Sequence, residues 1–139
     1  MHKVSALMIV GIGIDVARIG QFVDALNDPA TRFLSTHFTP GELAYARAQA
    51  HGDAARHLAA RYAAKEAVIK AGGRAEGLGP RDRQVDFREI EVINTAAGAP
   101  GLVFHGVVAD AIARMGVRRS HLSLSHEEDL AIAMVILES

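Results

Sequence analysis

The chain has no cysteine and no tryptophan. Without thiols it forms no disulfides, runs no thiolate chemistry and builds no zinc–thiolate site. It also lacks an excess of either charge: 15 Lys and Arg stand against 16 Asp and Glu, a net formal charge of −1. That excludes a broadly basic nucleic-acid binder, though not a local basic patch. Its longest apolar runs reach only about ten residues, too short to cross a bilayer. The apolar stretch within residues 1–14 follows only His2 and Lys3 and ends in no small-residue cleavage site, so no signal peptide is read there. The expectation is a soluble, cytoplasmic protein that engages neither membrane nor nucleic acid. Aromatics make up only 5% of residues, whereas 25 residues are alanine. The core is therefore expected to be aliphatic, built from closely packed elements. At 139 residues, half of them hydrophobic, the chain fits one domain, 1–139, that needs no metal or disulfide staple.

Some motifs are missing too. Gly11-Ile12-Gly13-Ile14-Asp15 resembles the start of a dinucleotide-binding turn, but Val16 occupies the place of its third glycine. There is no Walker sequence, no G-x-S-x-G elbow and no internal repeat. The two glycines then read as sites where another backbone approaches a strand closely.

What is present orders itself along the chain. Residues 7–14 read as a buried strand ended by Asp15, and 16–26 as an amphipathic helix carrying Val16, Ile19, Phe22, Val23 and Leu26 on one face. Residues 30–37 form a helical turn anchored by Phe33 and Leu34. Thr39, Pro40 and Glu42 make a capping box for a helix to about Ala50. Residues 54–71, with eight alanines, are the strongest helix, closed by Gly72-Gly73. A polar loop spans 74–86. Strands at 87–94 and 102–105 form a hairpin, 106–115 a helix, and 119–125 and 130–137 two closing strands joined by His126 to Asp129. Hairpins among helices indicate an α+β fold.

Three places carry candidate chemistry. Asp15 puts a carboxylate at a strand end. The central helix holds Arg61, Lys65, Glu66 and Lys70, with Arg61–Lys65 and Glu66–Lys70 each at i, i+4 spacing. Such pairs are ordinary on solvated faces. This helix, however, is apolar nearly all round, and charges on a central helix need partners. A carboxylate among three cations suits a divalent metal and phosphate oxygens. At the last hairpin, Ser123, Ser125 and His126 offer two hydroxyls and an imidazole. The remaining histidines, His2, His37, His51, His57, His105 and His121, show no metal spacing and read as structural or exposed.

Together these pieces resemble the holo-acyl-carrier-protein synthases, the small bacterial 4′-phosphopantetheinyl transferases. GIGIDVARI at 11–19 is similar to the family's aspartate motif, RYAAKEAVIKA at 61–71 to its central motif, and SLSHEEDLAIAMVILE at 123–138 to its closing strand pair. FTPGEL at 38–43 and REIEV at 88–92 also fit, and AARHLAARYAAKEAVIKA is most like actinobacterial members. The resemblance implies the family fold, a mainly antiparallel sheet packed on the long helix. It implies transfer of 4′-phosphopantetheine from coenzyme A to a serine of an apo acyl carrier protein or carrier domain, releasing 3′,5′-ADP, with Mg2+ as cofactor.

Carried over by position, Asp15 and Glu66 would bind the metal, and Glu66, Lys70 and Asp15 would form the catalytic set. Arg61, Lys65, Lys70, Ser125 and His126 would meet coenzyme A. The family's small members form trimers, so His126 would serve the neighbour's Asp15 and Glu66. The general base stays open between a metal-bound water oriented by Glu66 and the Asp129 carboxylate. One departure concerns the carrier: where members often carry Glu and then Arg after the motif aspartate, this chain has Arg18 and Gln21. Either Arg18 supplies the positive charge from one turn away or carrier docking differs. Two other classes explain single pieces: a metal-dependent nucleotidyl or phosphoryl transferase using ATP, and a non-catalytic coenzyme A-binding module.

Overall fold

The computed structural model describes residues 6–50, 52–73, 75–78 and 85–139. His2, His51 and most of the second half of the expected 74–86 loop lie outside the described residues. The chain runs β1 (Ile9–Arg18), α1 (Ile19–Leu26), α2 (Phe33–His37), α3 (Pro40–Arg47) and α4 (Ala54–Ala71). A 3₁₀ turn (Phe87–Glu89), β2 (Ile90–Asn94), β3 (Pro100–Phe104), α5 (Gly106–Arg114), β4 (Arg119–Glu127) and β5 (Leu130–Glu138) follow. Strands β1, β5 and β4 form one antiparallel sheet with β5 in the middle, and β2 pairs antiparallel with β3. The α+β expectation holds.

Helix α4 packs across β1 and β5. Alanine makes this possible: Ala59, Ala63, Ala64 and Ala67 are fully buried, and Ala131 and Ala133 of β5 face them. A helix lined with methyl groups lies closer to a sheet than one lined with leucines. Gly11 and Gly13 complete the approach. A methyl group at either position would fall inside the van der Waals radius of the Ala71 or Ala67 carbonyl oxygen. The close-approach reading of these glycines is thus borne out.

The few aromatics do not scatter. Phe22, Phe33 and Tyr62 pack against one another with tilted rings, with Phe38 against Phe22 and Phe87 against Tyr62. The aliphatic core thus carries a compact aromatic cluster, which composition alone did not indicate. His37 joins it, its ring 4.3 Å from Phe33 and its Nδ1 2.8 Å from the Phe33 carbonyl.

Several boundaries differ from expectation. The strand expected at 87–94 opens as the 3₁₀ turn and pairs only from Ile90, its partner runs Pro100–Phe104 and not 102–105, and α3 ends at Arg47, short of Ala50. Strand β1 continues through Asp15 to Arg18, because Val16, Ala17 and Arg18 stay in register with Ile132, Ala131 and Leu130. Helix α1 therefore starts at Ile19, where the Asp129 carbonyl accepts from Ile19 N–H and the Asp129 carboxylate from Gly20 N–H. At the other hairpin, β4 runs on to Glu127, which pairs with Leu130 and leaves a two-residue turn. Glu128 there takes a φ of 51°. His126 accordingly sits in a strand, opposite Ala131, and not in a loop.

The sheet has two unlike faces. Residues 131, 133, 135 and 137 of β5 face α4 and are buried. On the other face Ile12, Ile14, Val16 and Met134 are 58, 57, 50 and 41% exposed. Ile14 lies opposite Met134 and Val16 opposite Ile132, so these side chains form one continuous apolar surface. No described helix is long and apolar enough to cross a membrane.

Candidate active site

Helix geometry divides the charged residues of α4 into two sets. Each residue turns the helix by about 100°, so Arg61 and Lys65 lie about 40° apart, as do Glu66 and Lys70. The two sets face nearly opposite ways, and Arg61 is about 13 Å from Lys70 along the axis. One set meets β1, the other the β2–β3 hairpin and α3.

On the β1 side, Asp15 extends from the strand toward the last turn of α4. Lys70 Nζ is 2.7 Å from Asp15 Oδ1 and 3.2 Å from the Ile14 carbonyl. The Asp15 side chain is mostly covered, whereas that of Lys70 is half exposed. One turn back, Glu66 is half-buried, and the Tyr62 phenol four residues before it on α4 lies within reach of its carboxylate. Burial raises the Tyr62 pKa to about 12, helped by the Glu66 and Asp15 carboxylates. Tyr62 stays a neutral donor, and both carboxylates lie within electrostatic reach of it.

This donor set suits Mg2+, which takes one or two carboxylates and completes its shell with water and phosphate oxygens. A cation already stands there: the Lys70 ammonium occupies the Asp15 carboxylate. No group of three or more His, Asp or Glu gathers among the described residues, as a protein-only metal cage would require. Asp129, the other candidate base, has its carboxylate on Gly20 N–H at the start of α1.

On the opposite side lies a pocket of about 230 Å³, with Arg56, His57 and Arg61 from α4, Tyr45 from α3, Asn94 from β2, and Ser125 and His126 from β4. Its charged lining is wholly basic. Arg61 is 2% exposed, its guanidinium 4.3 Å above the Tyr45 ring and 3.3 Å from Asn94 Oδ1. Its Nε is buried and has no hydrogen-bond partner among the described residues. Such a donor costs free energy unless a ligand satisfies it. The Tyr45 ring also meets His57 edge-on at 5.4 Å. Burial lowers the His57 pKa, and Arg61 and Arg56 push the same way.

The expected site residues thus fall into two half-sites. Asp15, Glu66 and Lys70 form one; Arg61, Ser125 and His126 form the other. Lys65 belongs to neither, and its expected contact with coenzyme A is corrected. It is fully buried, and its ammonium donates to Glu42, to the Phe87 carbonyl and to the Ile90 carbonyl. An ammonium has three protons, so none is left for a phosphate. A second correction concerns His57, which lines the pocket. His105 and His121 are exposed and lie near Glu91 and Glu138 respectively, as expected of structural or surface histidines. Tyr45, Asn94 and Arg56 were not singled out from the sequence. Arg56 precedes Arg61 by five residues on the same helix, a usable signal; Tyr45 and Asn94 come from distant segments. Arg18 and Gln21, the departures on the carrier side, are both exposed at the start of α1.

Known proteins share this sequence pattern and fold. Residues 11–135 match the 4′-phosphopantetheinyl transferase superfamily. The holo-[acyl-carrier-protein] synthase of Anaeromyxobacter dehalogenans (strain 2CP-C) is 45% identical over 134 residues, spanning 94% of this chain and 97% of the relative. That of Mycolicibacterium paratuberculosis, an actinobacterial member, is 44% identical over 132 residues, 94% of this chain and 98% of the relative. Among solved structures, the Chronobacterium ammoniagenes synthase–coenzyme A complex superposes with a TM-score of 0.75 at 33% identity, covering 96% of this chain and 97% of that one. The chain belongs to the 4′-phosphopantetheinyl transferase superfamily, among the holo-[acyl-carrier-protein] synthases.

Proposed function

We propose that this chain transfers 4′-phosphopantetheine from coenzyme A to a serine of an apo acyl carrier protein or carrier domain in the cytoplasm, with Mg2+ and release of 3′,5′-ADP. The serine oxygen attacks the β-phosphorus of coenzyme A. The bond from that phosphorus to the bridging oxygen breaks, the serine proton passes to a base, and 3′,5′-ADP leaves. The observation that carries this reading is the pairing of a carboxylate–lysine half-site with a wholly basic pocket holding a buried arginine whose Nε has no partner among the described residues. The coenzyme A complex of the related synthase supports it.

Asp15 and Glu66 would hold the metal, which would withdraw charge from the pyrophosphate. Lys70, half exposed and held among the described residues by Asp15 and the Ile14 carbonyl, is free to move to a phosphate oxygen. Arg61, His126 and Ser125 would hold the nucleotide end. This is mostly positioning and charge stabilisation, which phosphoryl transfer requires.

The two half-sites face apart on one chain, which supports an active site made between subunits, and the exposed Ile12, Ile14, Val16 and Met134 surface supports a homotrimer to bring them together. The test is the intact mass of an apo carrier protein after incubation with this protein, coenzyme A and Mg2+, with and without chelator. A gain of one phosphopantetheine, lost with chelator, is expected. Coenzyme A binding with no gain on any carrier would favour a binding module, and consumption of ATP without coenzyme A another transferase. Asp15→Ala and Glu66→Ala should each abolish transfer with the fold intact. Near-wild-type turnover of either at limiting Mg2+ would sink the metal assignment.

A further inference from the structure

The buried ion pair between Lys65 and Glu42 lies outside both half-sites, yet it joins three of the elements that wall the basic pocket, α3, α4 and β2. Glu42 is 1% exposed and Lys65 fully buried. Glu42 Oε1 accepts from Lys65 Nζ at 2.8 Å and from Thr39 N–H at 2.9 Å, and Oε2 from Val92 N–H at 3.0 Å. Lys65 adds the Phe87 and Ile90 carbonyls. The network therefore fastens α3, α4 and β2 together at fixed hydrogen-bond lengths.

Each of its members is one short step from a pocket residue. Glu42 precedes Tyr45 by three residues on α3. Lys65 follows Arg61 by four on α4. Val92 precedes Asn94 by two on β2, on the same face. Tyr45, Arg61 and Asn94 are also in mutual register, since Arg61 lies over the Tyr45 ring and donates to Asn94. The Glu42 carboxylate is within electrostatic reach of both Lys65 and Arg61, so it is the counter-charge shared by two buried cations.

Stability alone does not account for this construction. Taking two charges out of water is expensive, and apolar replacements of buried pairs are often neutral or stabilising. Greasy contacts, however, let elements slide, whereas satisfied hydrogen bonds fix their spacing. We propose that the Lys65–Glu42 pair is a positioning device for the coenzyme pocket, holding Tyr45, Arg61 and Asn94 at the spacing that grips the nucleotide end of coenzyme A. The inference rests on the reading of that pocket as the coenzyme A site. Lys65 thus serves coenzyme A through the walls of the pocket and not by touching it.

The test is the double variant Glu42→Gln with Lys65→Met, which removes both charges together. Affinity for 3′,5′-ADP is measured by calorimetry, kcat and KM for coenzyme A by carrier mass gain, and the unfolding midpoint alongside. Positioning predicts 3′,5′-ADP binding weakened about tenfold or more, a matching rise in KM, and kcat at saturating coenzyme A little changed. A folded double variant with wild-type affinity would overturn the proposal. Should the double variant fail to fold, Glu42→Gln alone decides: it changes almost no volume, and unaltered affinity there has the same force. Wild-type protein that binds neither coenzyme A nor 3′,5′-ADP would instead defeat the pocket reading on which the proposal stands.

Discussion

Two neighbouring side chains on α4, Tyr62 and Glu66, show how much one oxygen atom can do. The Tyr62 ring is fixed by Phe22, Phe33 and Phe87, so its phenol meets Glu66 from a rigid mount. Tyr62→Phe keeps the ring and removes the donor. The unfolding free energy should change by no more than about 1 kcal/mol, while the Mg2+ concentration for half-maximal activity rises several-fold. A Mg2+ titration of the variant beside the wild type checks both parts. His57 gives a pH prediction. Its pKa is lowered by burial first and by Arg61 and Arg56 next, against an opposing pull from Asp53. The folded chain therefore binds fewer protons there than the unfolded one. Stability falls as pH drops through about 6.5, the unfolded value, and levels off below the folded one. His57→Gln should remove that part of the slope, read from urea midpoints across the same range. At this scale the sequence was half legible. The chemistry of Asp15, Glu66, Lys70, Arg61 and His126 could be named from motifs. The inward turn of Lys65 was implicit in its four-residue spacing from Arg61, but its partner Glu42 lies 23 residues away and no local pattern joins them.

At the scale of elements, the contact between β1 and α4 sets the carboxylate half-site. Gly11 and Gly13 let the strand lie directly on the helix backbone, and Asp15 follows on the same face. Gly13→Ala would place a methyl group against the Ala67 carbonyl, where neither strand nor helix can give way. A loss of about 3 kcal/mol or more is expected, measured as a fall in the urea midpoint. The folded remainder should also lose activity, because Asp15 moves with the strand. Elements governed by local rules were legible. The capping box of Thr39 and Glu42 is formed as the sequence indicates, and α4 has the expected limits. The β1–α1 boundary was not, because the pairing of Val16 to Arg18 with β5 is a contact between distant segments that outweighs a helical pattern. Nor could spacing reveal that Glu42 closes the capping box and neutralises Lys65 with the same oxygen.

On the scale of the whole molecule, the outer face of the β1–β5–β4 sheet remains to be covered. Ile14→Glu or Met134→Lys would put a charge in the middle of the proposed subunit contact. Light scattering should then report a smaller species, and transfer should fall together with assembly. Retained trimer mass with either substitution would show that this face is not the contact. The sequence foretold a strand at this place but treated it as buried. The single chain leaves one face bare because alternation places Ile12, Ile14 and Val16 away from α4.

The opposed half-sites of α4 also have a genetic meaning. A chain lacking Asp15 still carries an intact basic pocket, and a chain lacking His126 still carries intact carboxylates. If neighbours complete each other's sites, two dead alleles repair one another. Unfolded and refolded as an equal mixture, Asp15→Ala and His126→Ala chains should recover up to roughly a quarter of wild-type activity, since one junction in four joins two sound halves by chance. An enzyme with each site held within one chain would recover nothing.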